Sequence, residues 1–237
     1  MRIGPIVPLT LASVLLGCGT TGPGSYSGRF GFIMSCQQYL VDRSAGSYHA
    51  SRATVDLHNR DSANTVEGGD VVVRGDTLER RLSSATGPYY YGEENTGASP
   101  YAHSDGNWHV VQIGGSPLFP AITDSIQALP ESVAFIGMHA GDTIHRARTT
   151  TLHWSRATSY SDSVYLGIYN DAGIGMYISV PDAESAQLAP LNLNRTVPGR
   201  AYLTISRIRR RISAGPNGMI NEMSYESIHD IEIVIAQ

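Results

Sequence analysis

Four groups of side chains in this 237-residue chain have the types and spacing to do chemistry. Asp230-Ile231-Glu232 puts two carboxylates on one strand face, and a carboxylate pair about 5–5.5 Å apart is what a retaining glycosidase needs. His139, Asp142, His145 and His153 lie close together in sequence and are metal-ligating types. Arg207, Arg209 and Arg211 share one strand face, with Arg210 opposite. They form a candidate anion-binding row, because a guanidinium fork takes phosphate or carboxylate in bidentate fashion. Tyr89, Tyr90, Tyr91, Tyr101 and Trp108 surround a Gly-rich stretch that also carries Glu93, Glu94 and Asn95. Flat rings with polar tips beside acids and amides suit sugars, so these five are the candidate glycan-binding residues.

Each group also has a plainer reading. A zinc site needs three or four convergent ligands, and the chain has no His-x-His, His-Glu-x-x-His or Cys-x-x-Cys spacing. The histidines are therefore read as surface or hydrogen-bonded residues, and no metal or other cofactor is expected. No Asp-x-Asp-x-Asp-Gly loop is present for an EF-hand, and no Gly-x-Ser-x-Gly elbow for a hydrolase. A Ser-His-Asp triad is set by geometry rather than by order, so a hydrolase assembled in space stays open as an alternative. The acidic pair reads more simply as a charged edge strand. The arginines read more simply as a charged edge or as partners of nearby acids, and the tyrosines as strand and loop packing.

Composition narrows the classes further. All 17 basic residues are arginine. The absence of lysine removes a Walker A loop, a Schiff base and a Ser-x-x-Lys acyl transferase from consideration. The formal charge of −4 provides no basic field for nucleic acid. Only Cys18 and Cys36 could form a disulfide. Cys36 follows Phe30, Phe32 and Met34 at period two and reads as an inward, inert thiol.

The elements that must position these groups are strands, because period-two alternation dominates. Val71–Arg74 and Thr77–Leu82 flank a hairpin turn at Gly75-Asp76. That turn also accounts for Arg74-Gly75-Asp76, the tripeptide integrins read. Trp108–Ile113, Val133–Met138, Thr149–Trp154, Val164–Ile168, Ile174–Val180, Ala201–Ile205 and Ile231–Ile235 alternate as strands. Residues 83–107 read as irregular, Ala183–Leu188 as a short helix, and Pro216-Asn217-Gly218 as a turn. Gly114-Gly115-Ser116-Pro117 reads as a boundary. Short strands with a turn every 8–12 residues argue for an antiparallel β-sandwich, an all-β fold.

The segment Thr151-Leu152-His153-Trp154-Ser155-Arg156, a polar loop, and then Ser163-Val164-Tyr165-Leu166-Gly167-Ile168-Tyr169 resembles the B and C strands of immunoglobulin-like or fibronectin type III-like domains. The resemblance covers residues 130–237 and implies that Trp154 packs in the core. Asp230-Ile231-Glu232-Ile233 also resembles the active-site strand of jelly-roll β-glucanases, but lacks the third acid.

At the N-terminus, Arg2 precedes an apolar run ending in Leu15-Leu16-Gly17-Cys18, which resembles the lipobox of bacterial lipoproteins. The run is too short for a membrane-spanning helix and has a signal-peptide layout. The resemblance implies removal of residues 1–17 and lipidation of Cys18, with Gly19 pointing to the outer membrane of a Gram-negative cell. Residues 18–27 then form a lipidated flexible tether, residues 28–115 an N-terminal β module, smaller than the next or continuous with it, and residues 116–237 an immunoglobulin-like sandwich. The expected function is a non-enzymatic binding or structural module of the envelope. It is held to the membrane by its lipid and contacts an envelope protein, a glycan or an anionic lipid headgroup. A surface glycan-binding or adhesin role is the alternative.

Overall fold

The computed structural model describes residues 30–58, 65–94, 108–128, 132–156, 163–173, 175–215 and 218–237. Cys18, the tether and Tyr101 lie outside them. The strands are β1 (Phe30–Arg43), β2 (Gly46–Leu57), β3 (Val71–Val73), β4 (Asp76–Thr77), β5 (Glu79–Ser83), β6 (Gly87–Glu94), β7 (Trp108–Ile113) and β8 (Ile122–Gln127). They continue as β9 (Phe135–Ile136), β10 (Thr143–His145), β11 (Thr150–Trp154), β12 (Ser163–Tyr169), β13 (Gly175–Pro181) and β14 (Ser185–Leu188). After the short helix α1 (Pro190–Leu193) come two long strands, β15 (Gly199–Ala214) and β16 (Ile220–Ala236).

The fold is all-β, and most pairings are antiparallel. One large sheet runs β13-β12-β15-β16-β1-β2-β6-β5, with β10 added against β16. A four-stranded sheet, β4-β3-β7-β8, and a three-stranded sheet, β14-β11-β9, complete the architecture. Two pairings at the centre of the large sheet are parallel, β1 with β16 and β10 with β16. The long β15–β16 hairpin reaches along the whole sheet, so one strand serves both halves.

Alternation sorts the side chains as period two requires. Phe32, Met34 and Cys36 are fully buried with Val55, Leu57, Val111, Ile126, Met223 and Tyr225 in a first apolar core. Trp154 is buried in a second core with Leu152, Leu166, Leu203, Ile231 and Ile233, as the tryptophan-bearing segment implies. Between the cores, a polar row crosses four paired strands of the large sheet: Arg207, Ser227, Gln38 and Ser51 face one another in register. All but Gln38 are buried to within about a hundredth of full burial. Ser227 Oγ accepts the Val133 amide at 2.9 Å, and His229 Nδ1 accepts the Phe135 amide at 2.8 Å, which moors the chain leading into β9 on this row.

Three local readings change. The tight turn between β3 and β4 is Arg74-Gly75, one residue earlier than expected, with φ of 52° and 93°. Both central residues of this two-residue turn have positive φ, the backbone a type I′ turn demands. Ala183–Leu188 is not a helix: Ser185–Leu188 pairs with β11. Within the stretch read as irregular, residues 87–94 form β6.

Candidate functional site

The arginine row faces inward. Arg207 is 1% exposed, and its Nε lies 2.7 Å from Asp182 Oδ2. Its Nη2 donates to Asp182 Oδ1 at 3.1 Å and to the Ser155 carbonyl at 2.9 Å, while Trp154 Nε1 donates to Asp182 Oδ1 at 2.9 Å. Arg209 Nη1 donates to the carbonyls of Gln127 and Ala128, each at 3.3 Å. Arg211 donates to the Ser125 carbonyl, sits 3.5 Å from Asp124 Oδ1, and lies over the Trp108 ring at 6.0 Å. Arg209 and Arg211 thus cap carbonyls of β8, an edge strand of the four-stranded sheet. Arg210, on the opposite face, pairs with Glu222 at 4.0 Å.

The aromatic group is split. Tyr90 lies in the first core, and its hydroxyl accepts the Gly68 amide at 3.0 Å. Tyr89 and Tyr91 point the other way, out of the large sheet, and the Arg81 guanidinium covers Tyr91 at 4.1 Å. Trp108 is 55% exposed and alternates with buried His109, so it projects from the outer side of the four-stranded sheet. Tyr89 and Tyr91 are therefore on one side of the sandwich and Trp108 on the other.

Asp230 and Glu232 both lie on the face of the large sheet turned away from the cores. Asp230 accepts from Arg43 Nη2 and Tyr169 Oη, each at 2.9 Å, and from Thr204 Oγ1. Glu232 accepts from Ser44 Oγ at 3.0 Å and Arg200 Nη2 at 3.2 Å. All four carboxylate oxygens are engaged by the protein's own donors. His229, on the core side, uses both nitrogens: Nδ1 accepts the Phe135 amide, so Nε2 carries the proton it shares with Asp42 Oδ2 at 2.8 Å. No nitrogen is left to take a proton from a nucleophile. His139 faces Asp142 at 3.8 Å, and His145 and His153 are exposed. Among the described residues no three His, Cys, Asp or Glu side chains converge on a metal position.

The register reveals one feature the sequence did not: a tyrosine-lined face. Tyr39, Tyr48, Tyr89, Tyr91, Tyr165, Tyr169, Tyr177 and Tyr202 all occupy the side of the large sheet away from the cores. Tyr165 and Tyr177 stack with centroids 5.8 Å apart and planes 16° from parallel. Gly167 permits this, since a Cβ there would meet the Tyr177 ring at 2.8 Å. Arg43 covers Tyr202 at 4.4 Å and Arg52 covers Tyr39 at 5.3 Å. Partial burial and the adjacent Glu93 push the Tyr91 phenol up to about 12, so it stays a protonated donor at neutral pH.

No protein-family model matches the sequence, and no curated protein matches it. Among solved structures, the chain is similar to the fibronectin(III)-like modules of Clostridium thermocellum CbhA, at 8% identity over 85% of this chain and 90% of that one, with a TM-score of 0.27. It is also similar to the FN1–FN3 domains of chicken CNTN1, at 11% identity over 86% of this chain and 67% of that one, with a TM-score of 0.26. Similarity at that level carries no argument about activity, and function has to be argued from the side chains.

Of the strands that place the tyrosines, β12, β13 and β15 show their alternation in the sequence, whereas β2 and β6 do not. The face they build depends on the pairing order β13-β12-β15-β16-β1-β2-β6-β5, which brings Tyr39 and Tyr202 to one surface from distant parts of the chain. Local spacing carries no signal for that.

Proposed function

We propose that this chain is a lipoprotein of the bacterial outer membrane, anchored through acyl chains on Cys18, and that its β-sandwich is a non-enzymatic binding or structural module of the envelope. Leu15-Leu16-Gly17-Cys18 after a short apolar run carries the reading. Each buried CH₂ of an acyl chain contributes about 0.8 kcal/mol, so more than one chain gives a stable anchor. The side chains that could have served hydrolysis support the non-enzymatic part: Asp230, Glu232, Asp42 and His229 are each committed to internal donors and acceptors. The test is metabolic labelling with an alkyne fatty acid in a Gram-negative host. Wild type should carry the label and fractionate with outer membranes, and Cys18→Ser should lose both properties. Equal membrane partitioning of the two forms, without label in either, overturns the anchor.

A glycan-binding role is the second reading, and the tyrosine-lined face is the observation in its favour. Tyr48 and Tyr177 are 45% and 58% exposed there, beside the acids and arginines a sugar would need. Sugar-dependent quenching of intrinsic fluorescence supports it, and flat titrations across envelope polysaccharides count against it.

A further inference from the structure

We propose that β13 pairs with β13 of a second copy of this chain, joining two large sheets edge to edge into a two-fold dimer. An edge strand displays unpaired amides and carbonyls, and proteins commonly blunt such edges with charge, shortness or cover. The other edges here follow that rule. β5 carries Glu79, Arg80 and Arg81, paired as Arg81–Glu79 at 2.8 Å and Arg80–Glu67. β8 has its carbonyls capped by Arg209 and Arg211. β4 and β9 are two residues long, and β14 is four.

β13 departs from it. The strand is seven residues, Gly-Met-Tyr-Ile-Ser-Val-Pro, ends the large sheet, and contains no charged side chain. Its core-side residues Met176, Ile178 and Val180 are only partly covered by the second core. Helix α1 lies beside β13, and Met176, Ile178 and Val180 still stay half-buried, so the apolar layer reaches the sheet margin.

The sequence of β13 is complementary to itself. A two-fold axis through Ile178 gives the antiparallel, isologous pairing that closes a dimer. It sets Met176 of one copy opposite Val180 of the other and Ile178 opposite Ile178, extending the apolar layer across the junction. On the tyrosine-lined face it sets the large Tyr177 opposite the small Ser179. Gly175 meets Pro181, whose missing N–H ends the ladder. No like charges face each other, and no two bulky rings collide.

The experiment is sedimentation velocity on the full chain in density-matched detergent from about 1 to about 100 µM, alongside amide hydrogen exchange at both ends of that range. The expected result is a monomer–dimer equilibrium in which residues 175–181 gain protection at high concentration while β5 and β8 do not. The double variant Tyr177→Lys, Ser179→Lys, which opposes lysine to lysine, should weaken dimerisation at least about tenfold at unchanged thermal unfolding. A monomer throughout overturns the proposal, as does a dimer whose exchange in 175–181 ignores concentration. If the double variant fails to fold, the wild-type exchange result alone decides.

Discussion

The carboxylate of Asp182 closes on the guanidinium of Arg207 at 2.7 Å, with the two side chains 6% and 1% exposed. Trp154 donates to the same carboxylate, so the pair ties the tryptophan of the second core to the polar row between the cores. Asp182 follows the last residue of β13, and Arg207 sits in the middle of β15. The contact thus fixes where the edge strand ends.

Removing one member of this pair strands a charge with little water to solvate it. Asp182→Ala is expected to lower unfolding stability by about 3–5 kcal/mol. The further change Arg207→Met should restore a large part of that loss, because the uncompensated charge goes with it. A double-mutant cycle by urea unfolding reads this directly. Additive losses from the two single changes would show that the pair is not coupled.

Asp42 gives an acid-side pH dependence. Burial opposes its ionisation, but hydrogen bonds from Ser47 and His229 and the charge of Arg43 more than offset this and hold the carboxyl below its ordinary value of 3.8. A folded-state pKa below the unfolded one stabilises the protein above the unfolded value, and that contribution fades as pH falls through the folded value. Wild type should lose stability on acidification below about pH 4. Asp42→Asn keeps an acceptor for His229 Nε2 without titrating, so its urea midpoint should be lower at neutral pH and less sensitive to acid. Identical acid slopes for the two proteins would refute the assignment.

Arg209 and Arg211 have two readings that one variant separates. As caps on the carbonyls of Ser125, Gln127 and Ala128, their replacement by alanine should speed amide exchange in residues 108–128 and lower the unfolding temperature by a few degrees. As an anion-binding row, the same replacement should reduce binding to vesicles containing anionic lipid at low salt without a local loosening. Exchange and vesicle flotation on the Arg209→Ala, Arg211→Ala protein distinguish the two.

The strands whose alternation pairs apolar with polar residues were legible from sequence alone, as Phe32-Met34-Cys36 and Ile231-Ile233-Ile235 show. Cys36 is fully buried, and burial pushes its thiol up to about 12. The first half of β16 carries no continuous apolar period, because its inward positions change from Met223 and Tyr225 to Ser227 and His229, where the polar row interrupts it. β6 was obscured by Tyr89-Tyr90-Tyr91, three identical residues of which the middle one turns inward. β14 looked helical because its inward residues, Ala186 and Leu188, are good helix formers. Arg207 could not be recognised as internal, since its partner comes from the end of another strand. Local pattern reports which face a residue takes, whereas a site built across strands depends on their order.

The pairing of β1 with β16 has a consequence for how the chain reaches its fold. Gln37 and Glu226, bonded at 2.7 Å, are 189 residues apart in sequence. The middle of the large sheet therefore cannot close until nearly every other strand has been synthesised, and closing a loop of that length precedes any reward from the contact. Hairpins such as β1–β2 or β7–β8 can form early, but each would present an unfilled side until β15 and β16 arrive. A chain built this way completes its main sheet only once β16 is available, so shorter products of its synthesis hold isolated hairpins rather than this fold.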